Sequence, residues 1–214
     1  MPASTIYLVR HAESEHNVTK DFSTRDPGLT ELGFTQASAL ATDSVFPALS
    51  SVGVIVSSPL RRTIETTLAG FRDIIEGGGA KLILDPDLQE RSELPCDTGS
   101  SVGELTERFP GLDFSELERG DGDGWFAKKG RYTGDDDAVT ARAADVRKRL
   151  WGIVNGLERS EADEKKDVVV VTHGVFMKFL SQDETIDLPK AGWKAYRVEA
   201  GEGKDEEGAV LIAV

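Results

Sequence analysis

The stretch Val168-Val169-Val170-Val171-Thr172-His173-Gly174 decides how this chain is read. Four consecutive valines lack the alternation of a strand with one wet face, so they predict a parallel strand covered on both faces. A histidine and a glycine follow at once, where the chain leaves the apolar interior. Working outward, Thr5 to Val9, Val52 to Val56 and Ala80 to Leu84 read as further strands. Between them Leu60, Ile64, Leu68, Phe71 and Ile75 form one apolar stripe at helical spacing. Val139, Ala143, Val146, Leu150, Ile153 and Leu157 form another. A helix is predicted from near Thr30 to about Ser44, a further one opens over Val175 to Leu180, and Ala209 to Val214 reads as an edge strand. The expectation is an α/β fold, a mainly parallel central sheet flanked by helices on both faces, with residues 1–214 forming one domain.

Composition narrows the function classes. With 39% apolar and 29% charged residues, and no apolar run of membrane-spanning length, this is the make-up of a water-soluble protein. The start, MPASTIYLVRH, lacks the pattern of a secretory signal, so a cytoplasmic location is expected. The net charge of -13, from 25 basic and 38 acidic residues, argues against nucleic acid or an anionic membrane as partner. Cys96 is the only cysteine, which excludes an internal disulfide and marks it as a bystander. No metal or cofactor is expected. His11 and His16 do not have zinc-pair spacing, and the Asp121 and Asp123 pair lacks the later ligands of a calcium loop. The glycine- and acid-rich pieces at Gly77 to Gly79, Gly120 to Gly124, Asp135 to Asp137 and Gly201 to Gly208 read as surface turns.

The chemistry-bearing residues follow strands. Arg10-His11 comes after the first, Ser58-Pro59-Leu60-Arg61-Arg62 after the second, Glu90 after the third and His173-Gly174 after the valine strand. In a parallel sheet those ends share one edge, where open α/β folds place ligands. Two arginines, two histidines and a carboxylate gathered there suit phosphoryl transfer. Guanidinium forks donate paired bonds to phosphate oxygens, a neutral imidazole can attack phosphorus, and a carboxyl group can protonate the leaving oxygen and then activate water. His11 is the candidate nucleophile, with Arg10 beside it disfavouring its protonated form, and Glu90 is the candidate acid and base. His173, Asn17 and the helix-start amides near Gly174 would complete an anion cradle.

Several strings, in order, then carry a resemblance. Arg10-His11-Ala12-Glu13-Ser14-Glu15-His16-Asn17, Leu29-Thr30-Glu31-Leu32-Gly33 with Gln36-Ala37, Ser57-Ser58-Pro59-Leu60-Arg61-Arg62, Glu90-Arg91 and Val171-Thr172-His173-Gly174 resemble the histidine phosphatase superfamily, also called phosphoglycerate mutase-like. The resemblance runs from about Ile6 to Leu180. It implies a metal-independent phosphatase acting on an organic phosphate monoester through a phosphohistidine on His11. Arg10 and Arg62 would clamp phosphate, His173 would be the second pocket histidine, Glu90 the acid and base, and Asn17 and Ser23 further phosphate contacts. Ala12 stands where the family usually has glycine and Glu65 where it more often has glutamine; Glu65 is read as adding negative charge at the pocket rim.

Two rival functions stay open: a phosphoglycerate mutase, which returns the phosphoryl group to substrate, and a family member recruited to bind a phospho-ligand or to other chemistry. The acidic interval with Asp113, Glu116, Glu118, Asp121, Asp123 and Asp135 to Asp137 suits a bisphosphorylated intermediate poorly, which favours hydrolysis. Specificity is expected from Phe22 to Pro27 and from Ser92 to Asp137, with Trp125, Phe126 and Tyr132 as an apolar lid. Arg61 is assigned to solvent and His16 to the rim. The expected partner is a small-molecule phosphate ester, and the oligomeric state is left open.

Overall fold

The computed structural model describes residues 4–42, 45–46, 49–118, 124–159, 165–201 and 208–214. In chain order the elements are β1 Ile6–Arg10, α1 Glu15–Thr19, α2 Glu31–Ala39, β2 Val52–Ser57, α3 Arg61–Glu76, β3 Lys81–Leu84, α4 Val102–Arg108, α5 Asp136–Arg159, β4 Asp167–Thr172, α6 Gly174–Ser181, β5 Trp193–Glu199 and β6 Val210–Ala213. The strands form one sheet in the order β3-β2-β4-β1-β5-β6. β1, β2, β3 and β4 are parallel, while β5 runs antiparallel to β1 and β6 antiparallel to β5.

The valine strand lies in the middle, and its side chains divide between two cores. Val168 and Val170 meet α5 and α6 through Val146, Leu150 and Met177. Val169 and Val171 meet the α2 and α3 side through Leu40, Phe46 and Phe71. All four valines are fully buried, each worth about 1.5–3 kcal/mol of gross apolar transfer. That two-sided burial is why the sequence carries four valines and no alternation.

The sheet also sets the spacing of the strand ends. Arg10 pairs with Thr172 in the β1–β4 register, and the ladder runs one step further, with His11 N–H donating to Thr172 O at 2.9 Å. Ser58 N–H donates to Val171 O at 3.0 Å, and Asp85 N–H to Ser57 O at 2.9 Å. The carboxyl ends of all four parallel strands are therefore fixed against one another before any side chain is considered.

Several elements depart from expectation. α2 begins beside Thr30 as predicted, and Thr30 caps it, its Oγ1 accepting from Gly33 N–H, but the helix stops at Ala39; the predicted end at Ser44 lies outside the described residues. β5 was not anticipated, because only Tyr196 and Val198 of its seven residues are buried and Lys194, Arg197 and Glu199 interrupt its apolar residues. α4 announces itself by a capping box, Ser101 with Glu104, a signal available in the sequence. The Asp121 and Asp123 turn falls outside the described residues, as does most of the 201–208 turn.

Candidate active site

A pocket of about 340 Å³ opens at the carboxyl edge of the parallel strands, with Arg10, His11, Asn17, Arg62, Glu90 and Gly174 in its wall. A larger cavity of about 480 Å³ lies beside Asp85, Asp87, Arg131 and Arg149, but these charges are spent on one another, Arg131 and Arg149 both pairing with Asp87. His11 and His16 line the smaller pocket, which is the candidate site.

His11 is held in one orientation. Its Nδ1 lies 2.7 Å from Ala12 O, so that nitrogen carries the proton and Nε2 keeps its lone pair. Arg62 Nε lies 3.4 Å from Nε2. The ring's pKa is well below the ordinary value, first because of burial, then because of the Arg62 and Lys190 charges; Arg10, the neighbour expected to disfavour the protonated form, acts in that direction but least of these. Ala12 replaces glycine without strain, since its φ is not positive, and its N–H donates to Thr66 Oγ1 at 3.0 Å.

Arg62, almost wholly buried near the start of α3, ties the site together. Its Nη1 donates to Cys96 O and its Nη2 to Asp97 Oδ1, each at 2.7 Å, and Nη2 also lies 3.1 Å from His173 Nδ1. His173 Nε2 is 2.9 Å from Ser58 Oγ. With Nδ1 accepting from Arg62, Nε2 is the protonated nitrogen, and burial, then Arg62, depresses the ring's pKa. The His173 ring stands 5.2 Å from that of His11 but behind it, fully buried, with both nitrogens engaged. Cys96 contributes its carbonyl alone, for burial pushes its thiol up to about 11.

Arg10 is anchored by Nη1 to Leu188 O and to Asp187 Oδ1, the latter at 3.1 Å, while its buried Nε has no hydrogen-bond partner among the described residues. Gly174 leaves room for this guanidinium: a Cβ there would come within 3.1 Å of Arg10 Cζ. The Glu90 carboxylate accepts from Arg91 N–H at 2.8 Å, Val175 N–H at 3.1 Å and Phe176 N–H at 3.0 Å, so it is docked on the first turn of α6. Lys128, a buried residue not singled out in the sequence, donates to Glu90 O at 2.8 Å, and burial lowers its ammonium to about 7.

Asn17 lines the pocket within a local network. Ser14 Oγ bridges His16 Nδ1 at 3.0 Å and Asn17 Oδ1 at 3.1 Å, and Asn17 Nδ2 donates to His16 Nε2 at 2.9 Å. His16 is thereby neutral, its pKa lowered to about 4, chiefly by burial. The loop after His11 is braced by α2, since Thr30 Oγ1 donates to Glu13 Oε1 at 2.7 Å and Gln36 Oε1 accepts from Glu13 N–H at 2.9 Å. This is the physical work of the Leu29 to Ala37 string.

Other expectations are corrected. Ser23 is exposed, outside the pocket wall, and its hydroxyl donates to Asp21 Oδ1 at 2.6 Å. Glu65 is not a rim charge: it is buried, accepting from Leu29 N–H and Arg61 Nε at 2.7 Å each, so Arg61 is ion-paired and not left to solvent. Trp125, Phe126 and Tyr132 are not a lid. Trp125 is buried in a cluster with Leu60, Ile64 and Leu105 against which the other two pack, and a Cβ on Gly99 would come within 2.0 Å of its ring. The apolar groups at the pocket mouth are the exposed Phe22 and Val175. Asp97, Ser58 and Lys190 were missed, for nothing local to them predicts contact with Arg62, His173 or the pocket.

Among the described residues, no group of three or more His, Cys, Asp or Glu side chains is placed to hold a metal ion, and no helix is long and apolar enough to cross a membrane. Residues 6–202 match the family model of the histidine phosphatase superfamily, branch 1. A Schizosaccharomyces pombe protein named a probable phosphatase is 31% identical over 193 residues, covering 87% of this chain and 83% of its own. A phosphoglycerate mutase-like protein of Arabidopsis thaliana is 27% identical, over 81% of this chain and 72% of its own. Among solved structures, a mycobacterial glucosyl-3-phosphoglycerate phosphatase superposes with a TM-score of 0.59 at 21% identity, covering 99% of this chain and 97% of that one. The ecdysone phosphate phosphatase of Bombix mori, in complex with tungstate, superposes with a TM-score of 0.64 at 16% identity, covering 99% and 92%. These two likenesses extend the α/β fold, with its mainly parallel sheet, across the whole described chain. The strings that follow its strands and the family match over nearly all its length agree: this chain belongs to the histidine phosphatase superfamily, branch 1.

Proposed function

We propose that the protein is a metal-independent phosphatase that hydrolyses an organic phosphate monoester through a phosphohistidine on Nε2 of His11. The observation that carries this reading is the His11 tautomer: Nδ1–H is committed to Ala12 O, so Nε2 keeps its lone pair, which accepts a long, 3.4 Å bond from Arg62 Nε. In the first step Nε2 attacks phosphorus and the ester P–O bond breaks, with Glu90 delivering a proton to the departing oxygen. In the second, Glu90 takes a proton from water, the water oxygen bonds to phosphorus, and the P–N bond breaks to release inorganic phosphate and neutral His11. Arg10 and Arg62 neutralise the charge on the nonbridging oxygens, which is the larger part of what phosphoryl transfer asks of a protein. The buried Nε of Arg10, without a hydrogen-bond partner among the described residues, is suited to the same anion, whereas the Val175 and Phe176 amides at the start of α6 are taken by Glu90. Phe22 and Val175 offer apolar surface to the carbon skeleton of the leaving group.

His173 acts in this scheme through Arg62 and Ser58, holding the clamp in the plane that meets the phosphoryl group. The relatives named as phosphatases support hydrolysis over return of the phosphoryl group to substrate. Brief exposure to a phosphate monoester followed by alkaline quench should leave an acid-labile, base-stable phosphate on His11, and His11→Ala should remove both label and turnover. Label on a serine or on Cys96 would overturn the mechanism.

A further inference from the structure

The segment between α6 and β5 is stitched to the nucleophile. Gly192 O accepts from Arg10 N–H at 2.9 Å, Ala191 N–H donates to His11 O at 3.4 Å, and Gly192 N–H closes a turn onto Pro189 O at 2.9 Å. Ala191 adopts φ +57, a left-handed conformation that is unfavourable for a residue with a side chain. This turn holds Lys190 in the wall of the pocket shared by His11, Arg10, Arg62 and Glu90.

Lys190 differs from the two arginines there. Arg10 is paired with Asp187 and Arg62 with Asp97, whereas the Lys190 ammonium has neither hydrogen bond nor ion pair among the described residues. Its charge also registers at the site, since it is among the causes that lower the pKa values of both His11 and His173. Burial, with Arg10 and Arg62 close by, brings the ammonium down to about 7, against the opposing influence of Glu90. A partly buried cation crowded by like charges, on a turn built at some backbone cost and with no ion-pair partner among the described residues, is a place where an anion binds.

We propose that Lys190 is a further phosphate-binding residue, its ammonium donating to a nonbridging phosphoryl oxygen alongside Arg10 and Arg62. The inference rests on the phosphatase reading of this pocket and adds a contact to it. A dianion with three nonbridging oxygens then meets three cations from three segments of the chain. Lysine fits the third position because its ammonium is a point charge that needs no planar fork.

The test is titration calorimetry of inorganic phosphate and of tungstate into the full-length protein and Lys190→Met, with the unfolding temperature as a control for folding and nitrophenyl phosphate turnover in parallel. The variant should fold as the wild type does, bind both oxyanions roughly 10-fold or more weakly, the scale of one charge-assisted bond, and show a raised KM. If Lys190→Met does not fold, Lys190→Gln takes its place. Unchanged affinity for both oxyanions overturns the inference, including the case where only esters bearing a second anionic group lose affinity, and leaves the phosphatase reading standing. A wild type that binds neither oxyanion and releases no phosphate overturns both.

Discussion

Phe176 donates its backbone N–H to Oε1 of Glu90 at 3.0 Å, mooring the candidate acid to the helix whose N-cap is His173. The carboxylate and the second histidine are thus placed by one rigid element, and a fault in either reaches both.

Glu90→Gln should slow phosphoryl transfer from alkyl phosphates by about 10²- to 10⁴-fold, the scale of general acid catalysis. A nitrophenyl ester, whose leaving group needs little proton donation, should lose less in that step. Phosphohistidine should then accumulate, seen as a burst followed by slow turnover, because water still lacks its base. Equal losses with both esters and no trapped intermediate would move the acid role to another carboxylate.

Asp97→Asn removes the counter-charge of the buried Arg62. Breaking one side of a buried ion pair costs about 3–5 kcal/mol, so the unfolding temperature should fall clearly. Inorganic phosphate should restore more of it in the variant than it adds to the wild type, since the anion takes the place of the lost carboxylate. An equal phosphate-induced gain in both proteins would argue that Arg62 does not meet the anion.

The histidines give a pH signature. His11 and His173 are depressed well below their ordinary value, and His16 to about 4, so none should titrate near 6.5 in the folded protein. The unfolded chain binds protons from about pH 6.5 downward while the folded chain resists, so stability should be full above that pH and fall as pH drops toward 4. The three imidazole Cε1–H resonances should hold their neutral shifts to about pH 5.5. A resonance with a midpoint near 6.5 would contradict the buried, neutral arrangement.

Trp125→Ala should destabilise the fold by about 3–5 kcal/mol, the cost of emptying a buried aromatic site, while KM for a small aryl phosphate stays near that of the wild type. A raised KM with unchanged stability would return the ring to the role of a lid.

The sheet and the gathering of candidate residues at one of its edges were legible because their signals are local. Val168 to Val171 announce a doubly covered strand, and Arg10-His11, Arg62, Glu90 and His173 each follow a strand. What escaped depends on convergence. Asp97 meets Arg62 across 35 positions and Ser58 meets His173 across 115, separations that leave no periodic trace. Glu65 was misplaced because its partners, Leu29 N–H and Arg61, come from one backbone amide and one turn of helix, and neither marks a carboxylate as buried. Trp125 was misread for a similar reason: an aromatic residue in a glycine-rich segment looks like a loop tip until α4 and Gly99 are seen against it.

The place of β4 in the sheet has a consequence for synthesis. Asp167–Thr172 is translated after Arg10, His11, Arg62 and Glu90, yet it fills the slot between β1 and β2 and pairs with both. A nascent chain that has emerged only as far as α5 therefore carries two apolar strands whose facing edges have no partner, a state that invites aggregation and engagement by chaperones. The register that sets His11 beside Thr172 does not exist until that strand arrives. Oxyanion binding should accordingly appear late and all at once on the ribosome, and fragments released before residue 167 should neither bind phosphate nor stay soluble.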